Sequence, residues 1–100
     1  MIEIRSAGVF LKWLRGLRDA PAKGRIQIRI DRMSLGNPGD VRPVDEGVSE
    51  LRIDYGPGYR VYFAGRGKTV VVLLCGGDKQ TQDIDIATAK SLAKEWNDGA

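Results

Sequence analysis

One continuous stretch, residues 50–82, constrains the fold more than the rest of the chain. Within it, apolar and polar residues alternate over 51–63, and the alternation is broken only by Gly56-Pro57-Gly58. A period of two is that of a strand with one buried face, and two such runs joined by a glycine-rich break predict an antiparallel hairpin. A second turn at 66–68 leads into residues 69–75, which are apolar and largely β-branched. That composition is typical of a strand buried on both faces.

The alternation also predicts which side chains share a face of the hairpin. If Gly56-Pro57-Gly58 is the whole loop, Tyr55 faces Tyr59 and Asp54 faces Arg60. One face is then polar and carries Arg52, Asp54, Arg60 and Tyr62. The other is apolar and becomes the core side, with Leu51, Ile53, Val61 and Phe63.

The N-terminal third predicts a short strand followed by two helices. Residues 2–5 alternate, and Ser6 is a candidate N-cap. A helical stripe follows, formed by Phe10, Trp13, Leu14 and Leu17. Residues 22–35 are ambiguous, because RIQIRI alternates like a strand although Ala22, Ile26, Ile30 and Met33 also form a helical stripe. We favour a helix there, since Pro21 suits a first helical turn and Arg25, Arg29 and Arg32 form a second stripe.

The remaining segments complete a single α+β domain over residues 1–100. Residues 41–44 predict a short strand, and Glu46-Gly47 a turn. A helix is expected from Gln80 onward, with Asp83 and Asp85 near its start. Its apolar stripe is Ile84, Ala87, Leu92 and Trp96, with Ala89 and Ala93 filling the gaps. The predicted order is a strand, two helices, three or four strands and a last helix.

Composition excludes several classes of site. The chain has no histidine and one cysteine, so neither a histidine-based nuclease nor a Cys/His metal site can be built, and we expect no metal or cofactor. Cys75 lies in an apolar run and is expected to be buried. No secretory leader and no apolar stretch of roughly 18 residues is visible, which predicts a cytoplasmic protein without a membrane anchor.

Charge is distributed unevenly along the chain. The net charge is +3, but residues 1–35 hold eight basic against three acidic residues, a net of +5. Such asymmetry favours an acidic partner or a polyanion, although a solvated basic helix face would explain it equally.

The polar face of the hairpin is the best candidate site. Arg52 and Arg60 are each able to bind a phosphate through two hydrogen bonds. Lys79 follows Gly76-Gly77, which we expect to form a turn with exposed backbone amides. The alternative is a solvated sheet face with an Asp54–Arg60 cross-strand pair and no ligand.

Several motifs together resemble a known family. They are FLKWLRGLRD, LGNPGDVRPV, ELRIDYGPGYRVYF and LLCGGDKQTQ, and the likeness extends over residues 9–97. The chain is similar to the RelE/HigB superfamily of toxins, in particular to the branch named addiction-module killer proteins, which is related to a phage protein family. The resemblance implies a RelE-like α+β fold, with two N-terminal helices packed on a small antiparallel sheet and a C-terminal helix.

The resemblance also implies a function. Many members are toxins of type II toxin–antitoxin systems that cut mRNA in the ribosomal A site without a metal, by attack of the ribose 2′-hydroxyl to give a 2′,3′-cyclic phosphate. By position, Arg60 would hold the scissile phosphate, Arg52 the same or a neighbouring phosphate, and Lys79 would face the leaving oxygen. Supporting roles fall to Tyr62 and Asp54, and RNA or ribosome contacts to Arg25, Arg29, Arg32, Arg66 and Lys68.

The implied partners are a helix-turn-helix antitoxin and the mRNA on the ribosome. Two alternatives remain open from the sequence. One is a catalytically inactive relative that binds an antitoxin and regulates transcription with it. The other is a general RNA-binding domain, for which the chain has few aromatic residues able to stack on bases.

Overall fold

The computed structural model of the chain describes residues 1–96 and confirms the α+β class. Within them lies a five-stranded mixed sheet with helices on both faces. The strands are β1 (Glu3–Ser6), β2 (Val41–Asp45), β3 (Val48–Ile53), β4 (Tyr59–Arg66) and β5 (Val70–Gly77). The helices are α1 (Gly8–Gly16), α2 (Ala20–Ser34) and α3 (Gln82–Glu95), the last preceded by a 3-10 turn at Lys79–Thr81.

The sheet is not wholly antiparallel, and that part of the expectation is wrong. The strand order is β1-β5-β4-β3-β2, and β1 runs parallel to β5 while every other neighbouring pair is antiparallel. The two helices between β1 and β2 carry the chain across the sheet, which allows the first strand to join the edge beside β5. Both faces of the sheet are therefore covered, by α1 and α2 on one side and by α3 on the other.

The ambiguous segment 22–35 is helical, as predicted. Asp19 caps α2 by accepting a hydrogen bond from the Ala22 amide, and Pro21 lies in the first turn. All four residues of the predicted apolar stripe of α2 are buried. Ser6, however, is part of β1, and Ala7 precedes α1 without a side-chain cap.

The predicted apolar stripe of α3 is only partly correct. Ile84 is 71% exposed and Ala87 is also exposed, so these two do not face the core. The side chains that pack against the sheet are Ile86, Ala89, Leu92, Ala93 and Trp96. The helix starts two residues later than expected because Asp78 first caps the short 3-10 turn, accepting hydrogen bonds from the Gln80 and Thr81 amides.

The hairpin register differs from the prediction by two residues. Arg52 lies opposite Arg60, and Ile53 lies opposite Tyr59. The loop is longer than predicted, and Tyr55 lies within it, with the Arg25 guanidinium over its ring, 4.5 Å from the ring centroid. Since a slip of two preserves the faces, Leu51, Ile53, Val61 and Phe63 still form the core side.

Two other local predictions, the Glu46-Gly47 turn and the burial of Cys75, are confirmed. The Glu46-Gly47 turn has two positive φ angles, 48° and 80°, as in the turns that join tight hairpins. Cys75 is buried beneath α3, and burial raises the pKa of its thiol to about 12. Within residues 1–96, no helix is long and apolar enough to cross a membrane.

Candidate anion-binding site

Basic side chains from two strands and the turn after β5 line an open cavity of about 460 Å³. It lies where β3 ends, β4 begins and β5 has just ended, and we call this the cavity end of the sheet. Its charged lining residues are Arg52, Arg60, Lys79, Asp40 and Asp54. The loop Gly56-Pro57-Gly58 forms another part of the wall. The structure thus brings together the three basic residues for which the resemblance implies a catalytic role.

Arg60 is the most deeply placed of these cations, with 6% of its surface exposed. Its Nη1 donates to the carbonyl oxygens of Gly58 (2.9 Å) and Tyr59 (3.2 Å), so the guanidinium folds back against its own loop. The Nε atom is buried and has no hydrogen-bond partner among residues 1–96. That buried Nε faces the Glu50 carboxylate at ion-pair distance, 3.9 Å from Oε1, so Arg60 is held on its inner side while the residue lines the cavity on the other.

Glu50 lies between the two arginines on the covered face of the sheet, and the sequence analysis did not identify it as a site residue. Its carboxylate is buried, and Oε1 lies 3.6 Å from Arg52 Nε and 3.9 Å from Arg60 Nε. Oε2 accepts a hydrogen bond from Gln82 at 2.9 Å. The available signal was the period of two, which places Glu50 on the same face as Arg52.

Lys79 reaches the cavity from the turn after β5 and is exposed. Gly58 makes this approach possible, because its φ is +80° and an added Cβ would lie 3.3 Å from Arg60 Nη1 and 3.4 Å from Lys79 Cβ. The predicted Gly76-Gly77 turn is wrong. Both glycines belong to β5 and pair with β4, where they allow close approach of Trp13 on one face and Asp85 on the other.

Asp54 and Tyr62 lie differently from the predicted polar face. Asp54 follows β3, is exposed on the cavity rim and does not oppose Arg60. Tyr62 is fully buried under α3, and its hydroxyl has no hydrogen-bond partner among the described residues. Burial, followed by the nearby Glu50 carboxylate, raises the pKa of Tyr62 far above its usual value. The prediction failed because α3 covers this face of the sheet.

Arg29 stabilises one wall of the cavity. Its guanidinium donates to the carbonyl oxygens of Arg52 (2.6 Å), Pro38 (2.9 Å) and Asp40 (3.1 Å). It also packs against Gly39, whose φ is +79° and whose missing side chain leaves room for the guanidinium. The GNPGD segment is therefore a loop wrapped around one arginine of α2, and its sequence serves the shape of the site.

The other predicted RNA contacts fall in two places. Arg25 and Arg32 are exposed and line a depression of about 300 Å³ that shares Ile53 and Asp54 with the cavity. Arg66 and Lys68 lie at the opposite end of β4, which we call the far end. There, Arg66 Nη2 donates to the Ala93 carbonyl at 2.6 Å.

The arrangement has a definite chemical capacity. Two guanidiniums and one ammonium converge on a cavity open to solvent, which suits a phosphate group and stabilisation of negative charge developing on it. Residues 1–96 hold no cluster of acidic or sulfur ligands suited to a metal ion. The carboxylates that line the cavity, Asp40 and Asp54, are the groups there able to accept a proton.

Fold and site together define a small α+β protein with an open cavity lined by basic side chains at one end of its sheet. The chain belongs to the family described as phage derived protein Gp49-like (DUF891), which matches residues 12–95. This family is associated with toxin–antitoxin addiction modules. A relative from Haemophilus influenzae (strain ATCC 51907 / DSM 11121 / KW20 / Rd), described as an uncharacterized protein, is 50% identical over 94 residues, covering 94% of this chain and 95% of the relative.

Proposed function

We propose that the protein is a toxin of a type II toxin–antitoxin system and acts as a metal-independent, ribosome-dependent mRNA endoribonuclease of the RelE/HigB kind. The observation that carries the proposal is the convergence of Arg52, Arg60 and Lys79 on one open cavity. Membership in a family associated with addiction modules supports the toxin role and an antitoxin partner. The expected helix-turn-helix antitoxin and the ribosomal A site are part of the same proposal.

In this reaction the 2′-oxygen of one ribose attacks the adjacent phosphorus, and the bond from phosphorus to the 5′-oxygen of the next nucleotide breaks. Arg60 and Arg52 hold the phosphate oxygens and stabilise the charge of the transition state. Asp54 on the rim accepts the 2′-hydroxyl proton, and Lys79 donates a proton to the leaving 5′-oxygen. The products are a 2′,3′-cyclic phosphate and a 5′-hydroxyl.

Arg25 and Arg32 extend the basic surface away from the cavity and contact neighbouring phosphates of the message or the ribosome. Arg29, between them on α2, shapes the wall through its bonds to three carbonyls. The ribosome aligns the 2′-hydroxyl with the scissile bond. Holding the reacting atoms in this geometry contributes a large part of the rate enhancement.

Controlled expression in a sensitive host, with mapping of transcript 5′ ends, tests the proposal. Wild-type protein should arrest growth and leave messages cut within translated codons. Arg60→Ala should lower the cleavage rate by at least about 10²-fold and should therefore also restore growth. Arg66→Ala is the comparison variant at the far end of the same strand; it removes at most a peripheral RNA contact and should lower cleavage far less than Arg60→Ala. Normal growth with intact messages, in cells that contain soluble wild-type protein, would overturn the proposal.

A second candidate is an inactive relative that binds an antitoxin and regulates transcription with it. It is favoured by one observation: the site tyrosine expected from the sequence, Tyr62, is buried and absent from the cavity lining. This function predicts that the purified protein binds its antitoxin but leaves mRNA intact on programmed ribosomes. Cleavage under those conditions excludes it.

A further inference from the structure

Glu50 is an unusual residue for its position, because it is a carboxylate in the middle of a sheet with 1% of its surface exposed. Charged side chains are almost never fully buried unless they are paired. The partners of Glu50 are divided between its two oxygens, with the Arg52 and Arg60 guanidiniums near Oε1 and the Gln82 amide on Oε2.

The strand register explains why a carboxylate is needed there. Arg52 and Arg60 are directly opposite each other on one face of β3 and β4, and like charges in that relation repel. Glu50 precedes Arg52 by two residues on the same strand and is the diagonal neighbour of Arg60 across the pair. One negative charge therefore lies within ion-pair distance of both cations.

Gln82 holds the Glu50 carboxylate from α3, the helix that covers this face of the sheet. It is the first residue of α3, and the turn that leads into that helix begins with Lys79. The hydrogen bond from Gln82 Nε2 to Glu50 Oε2 thus connects the arginine pair on the sheet to the segment that carries the third cation of the cavity.

We propose that Glu50, locked by Gln82, is a positioning residue that holds Arg52 and Arg60 together so that both bind one phosphate. It does not touch the substrate and acts through the two guanidiniums. The ion-pair distances exceed hydrogen-bond length, so Glu50 takes up no donor of either guanidinium. A phosphate would approach Arg60 through its Nη atoms, because its Nε is buried. The part of the proposal that concerns turnover rests on the proposed function, whereas the part that concerns phosphate binding does not.

A positioning role predicts a divergence between affinity and turnover. Glu50→Gln removes one negative charge beside the cavity, so an RNA should bind more tightly. The guanidiniums, no longer held to one point, should align poorly with the scissile phosphate, and kcat should fall by about 10²-fold while KM also falls. A general loss of structure would instead lower the amount of active protein and leave the KM of the remainder unaltered.

The experiment uses inorganic phosphate and the intact chain. ¹⁵N NMR of the arginine Nε resonances during a phosphate titration should show Arg52 and Arg60 shifting together, with one shared affinity, in the wild-type protein. In Glu50→Gln the two resonances should titrate separately. Gln82→Ala should give an intermediate result, and it keeps the test valid if Glu50→Gln does not fold. Glu95→Gln, at the exposed end of α3, is the matched control and should match the wild type.

The outcomes separate this proposal from the proposed function. Joint titration in wild-type protein that persists in both folded variants would overturn the positioning role. If wild-type protein binds phosphate through both arginines and the variants uncouple them, the positioning role holds even if ribosomes show no cleavage. In that case only the nuclease function is lost.

Discussion

The two ends of β4 carry the same type of side chain and use it differently. At the far end, the Arg66 guanidinium donates to the Ala93 carbonyl in the last turn of α3, where a cation complements the helix dipole. At the cavity end, Arg60 donates hydrogen bonds to its own loop through Nη1, and its Nε lies 3.9 Å from the Glu50 carboxylate without a hydrogen bond among residues 1–96. An arginine satisfied by a helix end stabilises the fold, whereas one beside an open cavity is available to a ligand.

The sharpest way to break this comparison is a pair of lysine variants. Lys79→Ala at the cavity end should lower the cleavage rate by about 10² to 10³-fold, because the substitution removes the cation that stabilises negative charge on the leaving oxygen. Lys68→Ala, in the exposed turn at the far end, removes only a peripheral RNA contact and should lower activity by no more than a few-fold. Single-turnover cleavage on programmed ribosomes measures both, and equal losses in the two variants would show that the two ends are not functionally distinct.

Two glycines test whether the cavity end is also the more tightly packed one. A Cβ at Gly77 would lie 1.8 Å from Asp85 Oδ2, whereas one at Gly65 would meet nothing within 4 Å. Gly77→Ala should therefore cost about 3 kcal/mol in the free energy of unfolding, and Gly65→Ala close to nothing. Urea unfolding gives both values, and a Gly77→Ala protein as stable as the wild type would contradict the packing described.

Arg29 and Arg32 separate wall-building from ligand contact at the cavity end. Arg29→Ala removes hydrogen bonds to three carbonyls and should lower the free energy of unfolding by about 1.5 to 3 kcal/mol. Arg32→Ala, on the exposed face, should leave stability within about 0.5 kcal/mol and weaken RNA binding instead. Thermal unfolding and salt-dependent RNA binding of the two variants provide the check, and the reverse pattern would refute the assignment.

The smallest effect concerns an ion pair at the far end. Lys90 lies 2.9 Å from Asp45, and its hydrogen bond and charge lower the pKa of that carboxyl. Because the folded-state pKa of Asp45 is depressed, the stabilisation is present above its unfolded pKa and is lost as pH falls through the lower folded value. Lys90→Ala should thus be slightly less stable than wild type at pH 7 and indistinguishable at pH 2. Lys12→Ala should show no such pH-dependent difference.

The sequence predicted the core face of the sheet because side-chain parity survives an even slip in register. Leu51, Ile53 and Val61 are buried as expected although the strand pairs differ by two residues. Tyr55 lies in the loop, where its ring contacts Arg25 on α2. A contact between residues so distant in sequence does not affect the local alternation, so the alternation could not predict the length of the loop.

The sequence predicted which site residues share a face of the sheet. It did not predict which of them α3 would bury. Arg52 and Arg60 share a face and line one cavity, as the alternation indicated. Tyr62 and Glu50 are buried because α3 covers them. The sequence predicted that Ile84 of α3 faces inward, whereas Ile86 does. A weakly amphipathic helix does not reveal its orientation, and the environment of the polar sheet face was misjudged with it.

The parallel pairing of β1 with β5 has a consequence for the order of folding. Glu3 has no strand partner until Val70 has been synthesised, and Ser6 must wait for Leu73. Contacts so distant in sequence close late and slow folding, so the edge of the sheet beside β5 is sealed only after most of the chain is available. The same strand brings Gly77 and then Lys79 to the cavity. A nascent chain therefore completes its sheet and its basic cavity in one late step.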